Sequence, residues 1–192
     1  MADYTAIVEA GEALVEMLRD HLAPEPISNR ELISLCSPHE SENNQLTVYL
    51  YQLEEDPHNT QGGYYQYTKD IQKIRPAKFH LNFLVTAHSK APSQLKEADQ
   101  HRMIGAVVQI IMDNPVLDKK YLSGSILESN ETLRVSVERP NFDQLIKIWN
   151  NTAAPYKLSI AVRLDGVEIE SKRMRTISRV VDATISVDEK PS

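Results

Sequence analysis

The stretch from Phe79 to His88 constrains this chain more than any other. Phe79, Leu81, Phe83, Val85 and Ala87 alternate with His80, Asn82, Thr86 and His88. A period of two makes one apolar and one polar face only in an extended strand. A lone strand is not stable in water, so the chain must contain a sheet with one face on a core. Other stretches repeat the pattern. In Leu46-Thr47-Val48-Tyr49-Leu50-Tyr51 the aliphatic residues share one face, and Leu133, Val135 and Val137 alternate with Arg134 and Ser136. Tyr156, Leu158, Ile160, Val162 and Leu164 mark a longer strand, and Val181, Ala183, Ile185 and Val187 a last one. Asp165-Gly166 predicts a two-residue hairpin turn, with Val167 and Ile169 returning the chain. Residues 27–45 read as irregular, with a short strand near Leu32 to Leu35.

Helical periodicity appears three times. Ile7, Val8, Leu14, Val15, Leu18 and Leu22 fall on one face of a 3.6-residue repeat, with Asp3 as N-cap and Pro24 and Pro26 as the stop. Ile104, Val107, Val108 and Ile111 define a second helix, capped by Ser93 and ended by Asn114-Pro115. Phe142, Leu145, Ile146 and Trp149 define a third, with Asn141 and Gln144 as a variant capping box. The spacing of Trp149 predicts a core position. Strands with one solvated face and a few separated helices give an α+β fold class: a mainly antiparallel twisted sheet with about three helices packed on one side. The expected organisation is a single domain over 1–187 and a short flexible tail at 188–192.

Composition then narrows the function. Hydrophobic residues make up 41% and charged residues 25% of the 192, which excludes a collagen-like or disordered chain. Twenty-one Lys and Arg against 27 Asp and Glu leave a net charge of −6, so bulk electrostatics does not attract nucleic acid or an anionic membrane. Cys36 is the single cysteine, so no intrachain disulfide can form and a reducing compartment is expected. No apolar run approaches the roughly 18 residues of a membrane span. Asp3, Glu9 and Glu12 precede any Lys or Arg, the wrong charge for a secretory signal. A soluble, cytoplasmic protein is the expectation.

Catalytic and metal-binding readings find little support. Cys36-x-x-His39 with Glu40 and Glu42 has donor atoms but lacks a second ligand pair to close a site. His80 and His88 share a face, yet eight strand residues hold them roughly 26 Å apart. Asp99 and His101 stand two apart on a helix and point to different sides. No Ser sits in a GxSxG elbow, and Gly62-Gly63 lacks the lysine and helix N-terminus of a phosphate cradle. The expected catalytic, metal-binding and cofactor-binding sets are therefore empty.

Between the first two strands, Glu54 to Ala77 contains Pro57, Gly62-Gly63 and the cluster Tyr64-Tyr65-Gln66-Tyr67. It reads as a long functional loop. Tyr64, Tyr65 and Tyr67 are candidate interface residues, because tyrosine supplies rigid contact area at little entropic cost. Stacking on sugars or bases, the latter disfavoured by the acidic balance, and folding back over the sheet are the other readings.

Three blocks together resemble a known family. They are Phe79-His80-Leu81-Asn82-Phe83-Leu84-Val85-Thr86-Ala87, the helix with Glu97, His101, Arg102, Ile104 and Gly105, and Phe142-Asp143-Gln144-Leu145 through Trp149 into Pro155-Tyr156-Lys157-Leu158-Ser159. In order and spacing they resemble the N-terminal domain of the tail-terminator, or cap, proteins of extracellular contractile injection systems, over nearly the whole chain. The resemblance implies a phage tail-terminator-like fold and a structural role without catalytic residues. It also implies a hexameric ring closing the end of tube and sheath, with tube and sheath proteins as partners. The protein would then sit in the cytoplasm during assembly and in a phage-tail-like particle afterwards. Some relatives continue into a further C-terminal region, whereas this chain ends soon after Val187. A carbohydrate- or peptide-binding module using the Tyr64–Tyr67 segment is the alternative, and a hydrolase built from scattered Ser, His and Asp ranks last.

Overall fold

A computed structural model describes residues 2–39, 43–58, 63–140, 142–152 and 156–177. Its centre is the strand anticipated from Phe79 to His88, here β5 (Ala77–Ala87). It lies between β2 (Leu46–Glu55) and β7 (Ser159–Ile169), antiparallel to both. β1 (Ile33–Leu35) adds to β2 in parallel, and β6 (Arg134–Glu138) adds antiparallel to β7, completing a five-stranded sheet of order β1-β2-β5-β7-β6.

The register sorts side chains to the two faces. Val48, Val85 and Ile160 stand abreast and point with Phe83 and Val162 into the core, which α1 (Ala6–Leu22) and α2 (Lys96–Asp113) close from outside. Leu14, Leu18, Leu22 and Val107 are fully buried there. A short α3 (Gly124–Ser129), preceded by a 3₁₀ turn at Lys119–Tyr121, packs on α1 and contributes Ile126. The α+β class with about three helices on one side is therefore observed. The neighbouring row, Thr47, Thr86 and Ser159, points the opposite way. There α4 (Phe142–Thr152) crosses the second face, buries Trp149 and directs its indole N–H to Ser159 Oγ at 3.2 Å. Trp149 is thus core, as its helical spacing predicted.

Local details differ from the sequence reading where tertiary contact decides. Asp3 lies two residues ahead of the cap position: its carboxylate accepts from Thr5 N–H at 2.9 Å and Thr5 Oγ1 at 2.7 Å, and the helix starts at Ala6. Ser93 does not cap α2, which begins at Lys96 after a turn closed by Leu95 N–H on Pro92 O. Asn141, the expected cap of α4, and the alternating stretch 181–187 with the tail lie outside the described residues.

Two corrections matter more. Asp165-Gly166 is not a hairpin turn, because β7 runs straight through it. Leu81 pairs with Leu164 and Phe79 with Val167, so Asp165 and Gly166 together oppose His80 in a β-bulge. Gly166 has φ +96°, and a Cβ there would stand 2.5 Å from Thr132 O. The positive φ that signalled a turn is real, and the bulge uses it. Second, the 54–77 stretch is not a bare loop. β3 (Tyr64–Thr68) and β4 (Ile71–Ile74) form a hairpin, and β8 (Met174–Thr176) joins them in a separate sheet of order β3-β4-β8.

Candidate functional site

Tyr64, Tyr65 and Tyr67 all sit on β3. Strand alternation separates Tyr64 from Tyr65, and the irregularity between Gln66 and Thr68 reorients Tyr67. Arg175 of β8 lies over the Tyr64 ring at 3.9 Å, and Lys73 Nζ of β4 over the Tyr67 ring at 3.8 Å. Lys73 is buried, with Glu170 Oε2 at 3.9 Å. These cation–π contacts hold the two rings against the sheet, yet Tyr67 remains 47% exposed. The tyrosines both cover their sheet and offer surface.

The residues considered for chemistry are dispersed. His80, at the bulge, pairs through Nδ1 with Asp165 and has Asp56 at 3.9 Å from Nε2, while Arg163 Nε donates to Asp165 Oδ1 at 2.8 Å. The polar partners of His80 among the described residues are these two carboxylates, with no Ser, Thr or Cys hydrogen-bonded to it. His88 is buried elsewhere on that face. Lys157 Nζ donates to its Nδ1 at 3.0 Å, which assigns the remaining ring proton to Nε2, bonded to Thr47 Oγ1 at 2.9 Å. Burial first, then the charges of Lys157 and Lys96, lower its pKa to about 4, so the ring is neutral at pH 7. Burial also lowers the Lys157 pKa, with Lys96 adding to it. Asp99 accepts from Ser89 Oγ, and His101 is exposed. Cys36 accepts from Asn44 Nδ2 at 3.4 Å. No group of three or more His, Cys, Asp and Glu among the described residues could hold a metal ion. Nor is any helix among them long and apolar enough to cross a membrane.

Two concavities were not anticipated. One, of about 430 Å³, lies between α4 and the polar sheet face, with Tyr49, Tyr51, Asn82 and Arg163 on the sheet and Gln144 and Lys147 on the helix. Burial raises the Tyr51 pKa, helped by Glu138 and Glu54. Burial opposes the charge of Arg163, but Asp165, Glu138 and Glu54 more than offset it and raise its pKa. The polar alternation of β2 and β5 contained the sheet residues of this cleft; the placement of α4 over them left no mark in the sequence. The other, of about 460 Å³, is apolar, with Tyr4, Val8, Leu35 and Leu50 around the start of α1 and the β1 edge.

The fold thus defines an α+β protein with a five-stranded and a three-stranded sheet and two surface concavities among the described residues. The sequence profile of the Pvc16 N-terminal domain matches residues 9–183, and the chain belongs to that family. The resemblance to the N-terminal domain of tail-terminator proteins is borne out by that match. No curated protein gives a significant match. Among solved structures, the sheath/tube terminator in the cryo-EM structure of an extracellular contractile injection system (PVC, extended state) superimposes with a TM-score of 0.65 at 16% identity, covering 100% of this chain and 66% of that one. The tube terminating cap of the anti-feeding prophage (AFP) gives a TM-score of 0.58 at 17% identity, covering 94% of this chain and 61% of that one. The chain therefore spans just under two thirds of each of these relatives, with which it shares the fold.

Proposed function

We propose that this protein is a structural terminator that closes the tube and sheath of a contractile injection particle. It acts by assembling a ring, not by catalysis, and needs no cofactor. The observation that carries this reading is the family match across residues 9–183. The shared fold with a sheath/tube terminator and a tube terminating cap supports it. Its partners are further copies of itself, six to a ring, and the tube and sheath proteins. Nucleic acid and membrane insertion have no part in the role. The protein is cytoplasmic during assembly and afterwards a component of the particle, with 1–187 acting as one domain and 188–192 as a tail.

The ligand-binding alternative is not favoured, because Arg175 and Lys73 already lie over Tyr64 and Tyr67. Electron microscopy tests the proposal. Particles assembled without the protein are expected to have tubes of unregulated length, and the purified chain added back should form an annulus at one tube end. Tubes of normal length without it, and no docking on addition, would overturn the reading.

A further inference from the structure

The cleft between α4 and the polar face of the five-stranded sheet encloses about 430 Å³, within the roughly 300–1,000 Å³ of ordinary ligand sites. Register fixes what lies on its floor. Gln52, Asn82 and Arg163 stand abreast on β2, β5 and β7, and Asn82 and Arg163 face away from the core side chains Phe83 and Val162. Asn82 is the informative group. It is only 5% exposed, it lines the cleft, and no hydrogen bond among the described residues uses its carboxamide. Other polar groups on this face are satisfied: His80 pairs with Asp165, Thr47 with His88, and Ser159 with Trp149. Thr86 Oγ1 also lacks a partner, but Thr86 does not line the cleft. A buried carboxamide offers an acceptor and two donors, and leaving them unpaired is costly unless a molecule from outside supplies the bonds. Tyr49 and Tyr51 line the same cleft, and neither hydroxyl has a hydrogen-bond partner among the described residues.

The charges are sorted as well. Arg163 is already held by Asp165 at 2.8 Å and Glu138 at 3.5 Å. Arg139, just past β6, and Lys147, on α4, line the cleft, are exposed, and have no carboxylate partner among the described residues. Glu54 belongs to the β2 side, where Gln52 donates to it. A floor of neutral donors and acceptors below two unpaired cations fits an amide joined to a carboxylate. A peptide with Asp or Glu has both. Its backbone N–H and C=O match the acceptor and donors of one carboxamide, and its side chain makes charge-assisted bonds with the cations. A neutral sugar would leave both cations unused.

We infer that this cleft binds an extended, carboxylate-bearing peptide segment of a partner protein, with Asn82 pairing its backbone amide and Arg139 and Lys147 its acidic side chain. The inference rests on the terminator reading only for the source of the segment, a tube or sheath subunit.

Saturation-transfer NMR on the full chain tests it, with acetyl-Ala-Asp-Ala-amide as the probe. Transfer to this peptide is expected, and transfer weaker by about threefold or more, the scale of an exposed ion pair, to acetyl-Ala-Lys-Ala-amide and to methyl β-glucoside. Asn82→Leu should abolish transfer while leaving the denaturation midpoint unchanged or raised, because it removes an unpaired buried polar group. An asparagine that only held the fold would be destabilised by the same change. Lys147→Glu, at an exposed position, should weaken transfer to the Asp peptide and strengthen it to the Lys peptide, and this arm decides alone if Asn82→Leu does not fold. No transfer to the Asp peptide, equal transfer in the Asn82→Leu protein, an unaltered charge preference in Lys147→Glu, or a preference for the glucoside would overturn the inference. A cleft that fails in a protein still forming annuli on tube ends leaves the terminator reading intact. Peptide binding by a chain that never docks on tubes would sink that reading and keep the cleft.

Discussion

The five-stranded and three-stranded sheets use the same backbone geometry for opposite purposes. In the larger, Leu46, Val48, Leu81, Val85, Val162 and Leu164 are all fully buried against α1 and α2. In the smaller, Lys73 is the single buried residue among the three strands, and a Lys–Tyr and an Arg–Tyr contact replace a core. Apolar burial contributes roughly 25 cal/mol per Å², so stability concentrates in the first sheet. Among the described residues, β3 has a strand on one side only.

The comparison can be broken by substitutions that reverse the ranking. Phe83→Ala empties a site 1% exposed between the sheet and α1 and should cost about 3–5 kcal/mol in denaturant unfolding. A loss below about 1 kcal/mol would mean the core is looser than its burial implies. The buried His88 gives the next largest effect, through pH. Its pKa is about 4 in the fold and 6.5 in the unfolded chain, so protonation favours unfolding. Stability should be unaffected above pH 6.5 and fall by up to about 3 kcal/mol as pH drops toward 4. Thermal melts across that range should show the loss, and the His88→Gln protein should show less of it.

Gly166→Ala places a Cβ against Thr132 O at φ +96° and should cost about 1–3 kcal/mol, read from the shift in denaturation midpoint. Glu9 offers a smaller effect at lower pH. Burial pushes its pKa up, but bonds from Thr5 Oγ1, Ser125 Oγ and Ile126 N–H outweigh this and hold it below the usual 4.5. The stability it contributes is present above that value and lost as pH falls through the lower folded pKa. Glu9→Gln should remove this acid-sensitive part, about 1 kcal/mol, in melts below pH 4.5. Least affected should be Tyr67→Ala, within about 1 kcal/mol in subunit stability, the scale of an exposed cation–π pair. A larger loss on unfolding the isolated chain would show that the small sheet is part of the structural core after all.

Much of this fold was legible because burial leaves a period in the sequence. The alternation at Phe79–Ala87 and Leu46–Tyr51 and the helical spacing of Trp149 each record which side of an element faces away from water. A resemblance across three such blocks was enough to suggest the family. Features fixed by contacts between distant segments were not legible. The four-residue neighbourhood of Asp165-Gly166 is the same in a hairpin and in a bulge, and only the continuous pairing of β7 with β5 and β6 selects the bulge. Likewise, Tyr64–Thr68 becomes a strand because Ile71–Ile74 folds back on it and Met174–Thr176 arrives from the far end of the sequence.

The sequence by itself determined which residues seek a core and therefore the α+β class, since hydrophobic periodicity is a local property of each segment. Only the tertiary structure decided that α4 takes the face opposite the other helices. It alone paired His80 with Asp165 and His88 with Lys157, and split the strands between two sheets. Pairing partners, unlike burial, are properties of two segments at once, and neither segment carries a mark of the other.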